Sequence, residues 1–166
     1  MEFLIADTHF GHENIVVYCG RPFKDSVEMD EVIINRWNKI VSPMDIVYHL
    51  GDFSLSKEHT PDWYVKRLNG RIVLVMGNHD RRKTATWWKR FGITEAHKKP
   101  IEHNGFILSH EPEFFPELPN VHGHTHGNIH RGEVSIHGVH VCVSCEAIGY
   151  TPASFDAIES MLKEAS

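Results

Sequence analysis

Seven side chains spread over five segments carry the donor chemistry of a metal site: Asp7 and His9, Asp52, Asn78, His110, and His124 with His126. They offer carboxylate oxygen, amide oxygen and imidazole nitrogen but no thiolate, a mixture that suits Mn, Fe, Zn, Ni or Co better than a soft metal. Seven donors exceed one tetrahedral shell. They suit two divalent ions that share a bridging carboxylate and keep open positions, and two ions about 3.5–4 Å apart are the recurring device for in-line attack at phosphorus. No segment makes this case alone, since His-x-His is ordinary on a strand face and Gly-Asp is ordinary in a turn. The order makes it: Asp-x-His, Gly-Asp, Gly-Asn-His-Asp, His and Gly-His-Thr-His each follow an apolar run. Histidine, at 14 residues against 17 Lys and Arg, is the unusual entry in the composition.

The elements that must position these residues are legible as alternating strands and helices. Apolar runs over residues 3–6, 45–50, 71–76, 105–108, 121–122 and 139–144 read as strands that end at the polar clusters. Between them, Val27, Met29, Val32, Ile33, Trp37 and Ile40 recur near helical spacing, which predicts a helix over 25–41 with acidic residues early and Arg36 and Lys39 late. Thr60-Pro61 reads as a helix start reaching about Leu68, and Pro152 to Lys163 as a closing helix. Strands alternating with helices imply an α/β domain, and in open α/β sheets ligand sites lie beyond the carboxyl ends of strands. All five clusters then converge on one rim. Asp7 and His9 are two residues apart, so a turn must follow the first strand for both to face one site.

The chain has 166 residues, 41% hydrophobic and 23% charged, enough for one domain over residues 1–166 with a real core. Its formal charge of −5 argues against a chain held to nucleic acid by a basic face. No apolar run approaches the roughly 18–20 residues of a membrane span. The opening Met1-Glu2-Phe3-Leu4 has no basic stretch before it, so no signal peptide is expected, and three cysteines do not make a disulfide framework. A cytoplasmic location is the expectation.

From Asp7 to His126 the arrangement resembles the calcineurin-like metallophosphoesterase superfamily, in the form of a compact single-domain microbial or phage-type member, with Asp7-Thr8-His9-Phe10-Gly11-His12 as the opening motif. The resemblance implies a four-layer α/β/β/α sandwich of two mixed β-sheets. It implies that Asp7, His9 and His126 hold a first metal, that Asn78, His110 and His124 hold a second, and that Asp52 bridges both. It also implies that His79 stands beside the phosphate to stabilise charge or protonate the leaving oxygen, with Asp80 orienting its imidazole. The activity implied is hydrolysis of phosphate esters by a hydroxide held between two divalent ions, manganese being the preferred guess.

Other residues carry weaker signals, each with a plain alternative. His12 could line the substrate pocket or cap a loop. Arg21 could clamp a phosphate or stand exposed with no specific role. Arg81 and Arg82 could touch substrate at the rim or be solvated charges at a helix start. Trp87 and Trp88 could stack on a base, or divide between core and edge. Cys142-Val143-Ser144-Cys145 has no second pair and sits on an apolar run. His49, His97, His103, His137 and His140 have no motif support.

Only 40 residues follow His126, leaving no room for a cap domain, so the expected substrates are small phosphodiesters such as cyclic nucleotides. A phosphomonoesterase or a nuclease on the same metal centre is the alternative, the latter disfavoured by the negative charge. A non-catalytic protein-binding scaffold is the reading from another class, weakened because Asn78-His79-Asp80 and every candidate ligand are present. The expected partner is a phosphate-ester small molecule, a nucleotide among them, without a membrane; pairing of two copies is open.

Overall fold

The computed structural model describes residues 1–113, 115, 117–126, 134–135 and 138–165, with backbone alone at 134, 135, 138 and 163–165. His137 lies outside the described residues. In chain order the elements are β1 (Glu2–Ile5), α1 (Glu13–Tyr18), α2 (Ser26–Ile40), β2 (Ile46–His49), α3 (Pro61–Val65), β3 (Arg71–Val75), α4 (Ala85–Arg90) and β4 (Glu95–His97). They continue as β5 (Ile101–His103), β6 (Phe106–Leu108), β7 (Asn120–His122), β8 (Val134–Ser135), β9 (Gly138–Cys142), β10 (Ala153–Ser154) and α5 (Phe155–Ala165).

Among the described residues two mixed five-stranded sheets result, ordered β10-β1-β2-β3-β4 and β5-β6-β7-β9-β8. Strands β1 to β4 run parallel, as do β6, β7 and β9, while the edge strands β10, β5 and β8 are antiparallel. Parallel register sets Ile5 beside His49 and His49 beside Leu74, so the loops after β1, β2 and β3 leave the first sheet at one edge. In the second sheet Leu108 pairs with Val121 and Val121 with Val141, with the same consequence. Just past β1 the two sheets join: Ala6 donates to the Val143 carbonyl at 2.8 Å and accepts from Cys145 at 3.0 Å.

Alternation along the first sheet feeds two cores. Phe3, Ile5, Val47, Ile72 and Leu74 face a cluster with Met29, Ile33 and Trp37 of α2. Leu4, Ala6, Tyr48, Val73 and Val75 face the second sheet through Leu108, Val121 and Val141. This is why these strands read as unbroken apolar runs. Helix α5 packs on β9 of one sheet and on β1 and β10 of the other, completing an α/β sandwich. Among the described residues no helix is long and apolar enough to cross a membrane.

Helix α2 differs in detail from the expected stripe. Asp25 caps it by accepting from Glu28 N at 2.7 Å, and Ser26, Met29, Asp30, Ile33, Ile34 and Trp37 are buried. Val27 and Ile40 are 66% and 42% exposed instead. The stripe that runs through Met29, Ile33 and Trp37 is the one that faces the sheet, and Val27 and Ile40 fall outside its arc.

A candidate metal centre at the strand ends

The turn required after β1 is made by backbone strain in the residues of the site. Asp7, His9, Asp52, His124 and His126 all have positive φ, between 48° and 69°. Left-handed backbone costs a non-glycine residue energy that surrounding structure must supply, and such residues gather at functional sites. Here the supply is visible. Asp7 N donates to Gly51 O at 3.0 Å and His9 N to Asp52 O at 3.0 Å, tying the loops after β1 and β2 together. Gly123 N donates to His110 O at 2.9 Å, tying those after β6 and β7. Gly77 has no room for a side chain, because a Cβ there would strike the Asp52 carboxylate.

The loops bring all seven expected donors into one cluster. Asp52 Oδ2 lies 3.6 Å from His9 Nε2, 3.6 Å from His110 Nε2 and 3.8 Å from His79 Nε2. On one side, donor atoms of Asp7, His9 and His126 lie within 4.8 Å of one another, and so do those of Asp7, Asp52 and His110. On the other side, His110 Nε2 is 2.9 Å from Asn78 Oδ1 and 3.1 Å from His124 Nδ1. Asp52 therefore stands between two donor sets, and Asp7 reaches into both.

The electrostatics of this cluster favour a cation. Burial pushes the Asp7 carboxyl up to about 6. Burial, then the charges of Asp80 and Asp7, push Asp52 up to about 8. Burial holds His9 well below the ordinary imidazole range and takes His110 down to about 3. Neutral imidazoles and crowded carboxylates are what divalent ions require and what they relieve. Asp7 Oδ1 and His9 Nε2 are buried, and among the described residues neither has a hydrogen-bond partner. Buried polar atoms are seldom left so, and these two fit divalent ions as ligands.

A surrounding layer fixes the donors. His110 Nδ1 pairs with Leu50 O at 2.8 Å, leaving Nε2 to the cluster. Ser144 Oγ donates to Asp7 Oδ2 at 2.6 Å, and His124 N donates to the same oxygen at 2.8 Å. His126 Nδ1 lies 3.1 Å from Glu146 Oε1. Burial opposes charge on His126, but the Glu146 hydrogen bond and the Asp7 and Glu146 charges raise its pKa. Ser144 and Glu146 follow β9 as the other polar residues follow their strands. That position after a strand is their signal in the sequence, within and beside the Cys142-x-x-Cys145 pattern.

Two candidates have partners the sequence did not show. Arg21, expected as a phosphate clamp or an exposed charge, is 4% exposed, and its guanidinium donates to Glu146 Oε1 at 2.8 Å, Asp7 O at 2.7 Å and Thr8 O at 3.1 Å. It holds the strained turn from beneath. The Asp80 carboxylate accepts from Asp52 N at 2.6 Å, Gly77 N at 2.9 Å and Phe53 N at 3.2 Å, clamping the loops after β2 and β3, and among the described residues no hydrogen-bond partner reaches His79 Nδ1.

The remaining candidates divide. His12 borders the cluster, its ring centroid 5.5 Å from that of His9. Arg81 stands at the rim, 3.5 Å from Glu111 Oε1. Trp88 is buried and donates to Asp80 O at 3.2 Å, whereas Trp87 packs on Trp88 and Phe91 at the edge. Cys142 and Cys145 are free thiols buried in the core. His49 is buried 2.9 Å from Thr8 Oγ1, and His97, His103 and His140 pair with Glu95, Glu2 and Asn120 away from the cluster.

No family model matches the chain. A crystal structure of a protein of unknown function, AQ665 from Aquifex aeolicus, superposes with a TM-score of 0.72 at 27% identity, over 97% of this chain and 98% of that one. The structure of nuclease MPE from Pseudomonas putida shares the fold at a TM-score of 0.57 and 19% identity, over 86% of this chain and 72% of its own. The Gene 66 protein of Mycobacterium phage L5 is 26% identical over 80% of this chain and 73% of its own length. The uncharacterized protein MJ1445 of Methanocaldococcus jannaschii is 38% identical over 98% of this chain and 91% of its own. The chain belongs to one family with MJ1445.

Proposed function

We propose that this chain is a phosphoesterase of the calcineurin-like superfamily, dependent on two divalent metal ions and acting on small phosphodiesters, with cyclic nucleotides as the preferred class. The observation that carries the reading is the pair of buried, unpartnered donor atoms on Asp7 and His9, set among five further donors that converge from the ends of β1, β2, β3, β6 and β7. In this reading Asp7, His9 and His126 hold one ion, Asn78, His110 and His124 the other, and Asp52 both. Bound ions would supply an acidified water and positive charge for the phosphoryl oxygens.

The chain's own residues do the rest. His79 sits at the mouth with its side chain 30% exposed, and its backbone N–H donates to Asp52 Oδ1 at 3.1 Å. Burial, then the charge of Arg82, lowers its pKa, so the neutral ring offers an N–H at neutral pH. It is placed to donate that hydrogen bond to a phosphoryl oxygen or to the departing oxygen. Asp80 and Arg21 keep the loops in register. The P. putida nuclease adds that phosphodiester chemistry is housed by this fold elsewhere.

The test is initial rates on bis(p-nitrophenyl) phosphate and p-nitrophenyl phosphate, after chelation and again with Mn²⁺. The reading expects Mn²⁺-dependent hydrolysis, faster on the diester. A faster monoester would move the assignment to a phosphomonoesterase, and no hydrolysis of either with ions bound would favour the scaffold.

A further inference from the structure

A cavity of about 550 Å³ opens beside the cluster. His12 belongs to both, lining the cavity while its ring centroid lies 5.5 Å from that of His9. The floor is closed: Asp30 is buried and accepts from Gly11 N through both oxygens, at 3.1 and 3.0 Å, and Tyr64 is 1% exposed. One wall is a rigid loop. Ser56 Oγ accepts from Glu58 N at 3.2 Å and from His59 N at 3.0 Å, fixing where His59 stands. The His59 ring is stacked on Trp63, with centroids 4.0 Å apart and planes within 5°. The Arg67 guanidinium lies 4.4 Å from the Trp63 ring and is itself held by Glu31 at 2.7 and 2.8 Å. His59 remains exposed, so this supported ring offers a flat surface at the cavity wall.

We propose that this cavity receives the nucleoside arm of a phosphodiester, with the base against His59 and the phosphate at the metal cluster. The inference rests on the phosphoesterase reading and deepens it. Three observations carry it. The cavity and the cluster meet at one residue, His12, whose ring centroid lies 5.5 Å from that of His9, so an arm esterified to a phosphate at the cluster has the cavity beside it. A preformed aromatic wall rewards any flat heterocycle, whichever base it is. Of the carboxyl groups in the lining, Glu31 is paired with Arg67 and burial pushes Asp30 up to about 7, which leaves Glu13 and Glu58 beside the single ammonium of Lys57. Such a lining gives a second phosphate little to bind, whereas a groove for a nucleic-acid strand follows the backbone with positive charge. One phosphate with an uncharged aromatic arm fits both halves. The volume suits a ligand of that size.

The test compares kcat/KM, with Mn²⁺ present, for the p-nitrophenyl diester of thymidine monophosphate and for methyl p-nitrophenyl phosphate. Alongside it, NMR saturation transfer from the metal-free protein to the base protons of thymidine reads binding without turnover. The wild-type chain should prefer the thymidine ester, and His59→Ala should lower that preference by about tenfold, the scale of one lost stacking partner. Val27→Trp fills the cavity from a helix position that is 66% exposed, and should lower the preference as well. Saturation transfer should be present in the wild type and weakened in both variants. Equal rates on both esters without saturation transfer would overturn the nucleoside cavity and leave the esterase reading standing. Hydrolysis of neither ester, with saturation transfer that both variants weaken, would do the reverse.

Discussion

Strand β2 has an aspartate just before its first residue and another three residues past its last, and they live in opposite conditions. Asp45, at the amino end, is satisfied: it accepts from the Met1 ammonium and from Ser42 N at 2.7 Å, and those bonds hold its carboxyl down to about 2. Asp52, at the carboxyl end, accepts from His79 N at 3.1 Å and otherwise faces three imidazole nitrogens 3.6–3.8 Å away. Burial and two neighbouring carboxylates push it up to about 8. Two aspartates a few residues apart thus differ in what surrounds them. Asp45 finds its partners within the fold. Asp52 is held by backbone strain in a place where the protein alone leaves it poorly paired, which is the condition of a ligand.

Substitutions at the two ends should separate these roles. Asp52→Ala should have the largest effect, losing both ions and reducing diester hydrolysis to background; metal analysis that finds two ions retained would break the assignment. His79→Ala should come next, cutting turnover by roughly 10²-fold while keeping its ions, because it removes an N–H donor and no ligand. Arg21→Ala should act on stability. It leaves the half-buried Glu146 with His126 as its remaining ion-pair partner and the Asp7 and Thr8 carbonyls without that donor, a loss of about 3 kcal/mol in urea unfolding. A raised KM with unchanged stability would instead restore Arg21 as a phosphate clamp. Asp45→Asn should have the smallest effect and no effect on metal content. Because the folded pKa of Asp45 is depressed, its contribution is full above the ordinary value of 3.8 and fades as pH falls towards about 2. The stability gap between Asp45→Asn and the wild type should therefore close over that interval.

What the sequence disclosed follows from the same contrast. Runs such as Phe3-Leu4-Ile5 and Ile72 to Val75 are buried on both faces, so they read plainly as strands, and the polar residues at their ends read as a rim. Strands β4 and β5 have three residues each and no periodicity, and helices α1 and α4 have six, so little in the local sequence marks them. The partners of Arg21 and Asp80 are hidden from the local sequence for a physical reason. A charged residue near a motif looks exposed until a partner 125 residues away, Glu146, or backbone N–H groups 27 and 28 residues away, those of Phe53 and Asp52, account for it. The cavity beside His12 draws on α1, α2, α3 and the loop before α3, and no single segment carries its pattern.

The most direct test is a count of ions. The chain is stripped with a chelator, dialysed against excess Mn²⁺, freed of unbound metal by gel filtration, and measured for manganese per chain by mass spectrometry. The account expects two ions in the wild type and none in Asp52→Ala. A wild-type chain that retains no manganese, and none of iron, zinc, nickel or cobalt under the same procedure, would contradict it.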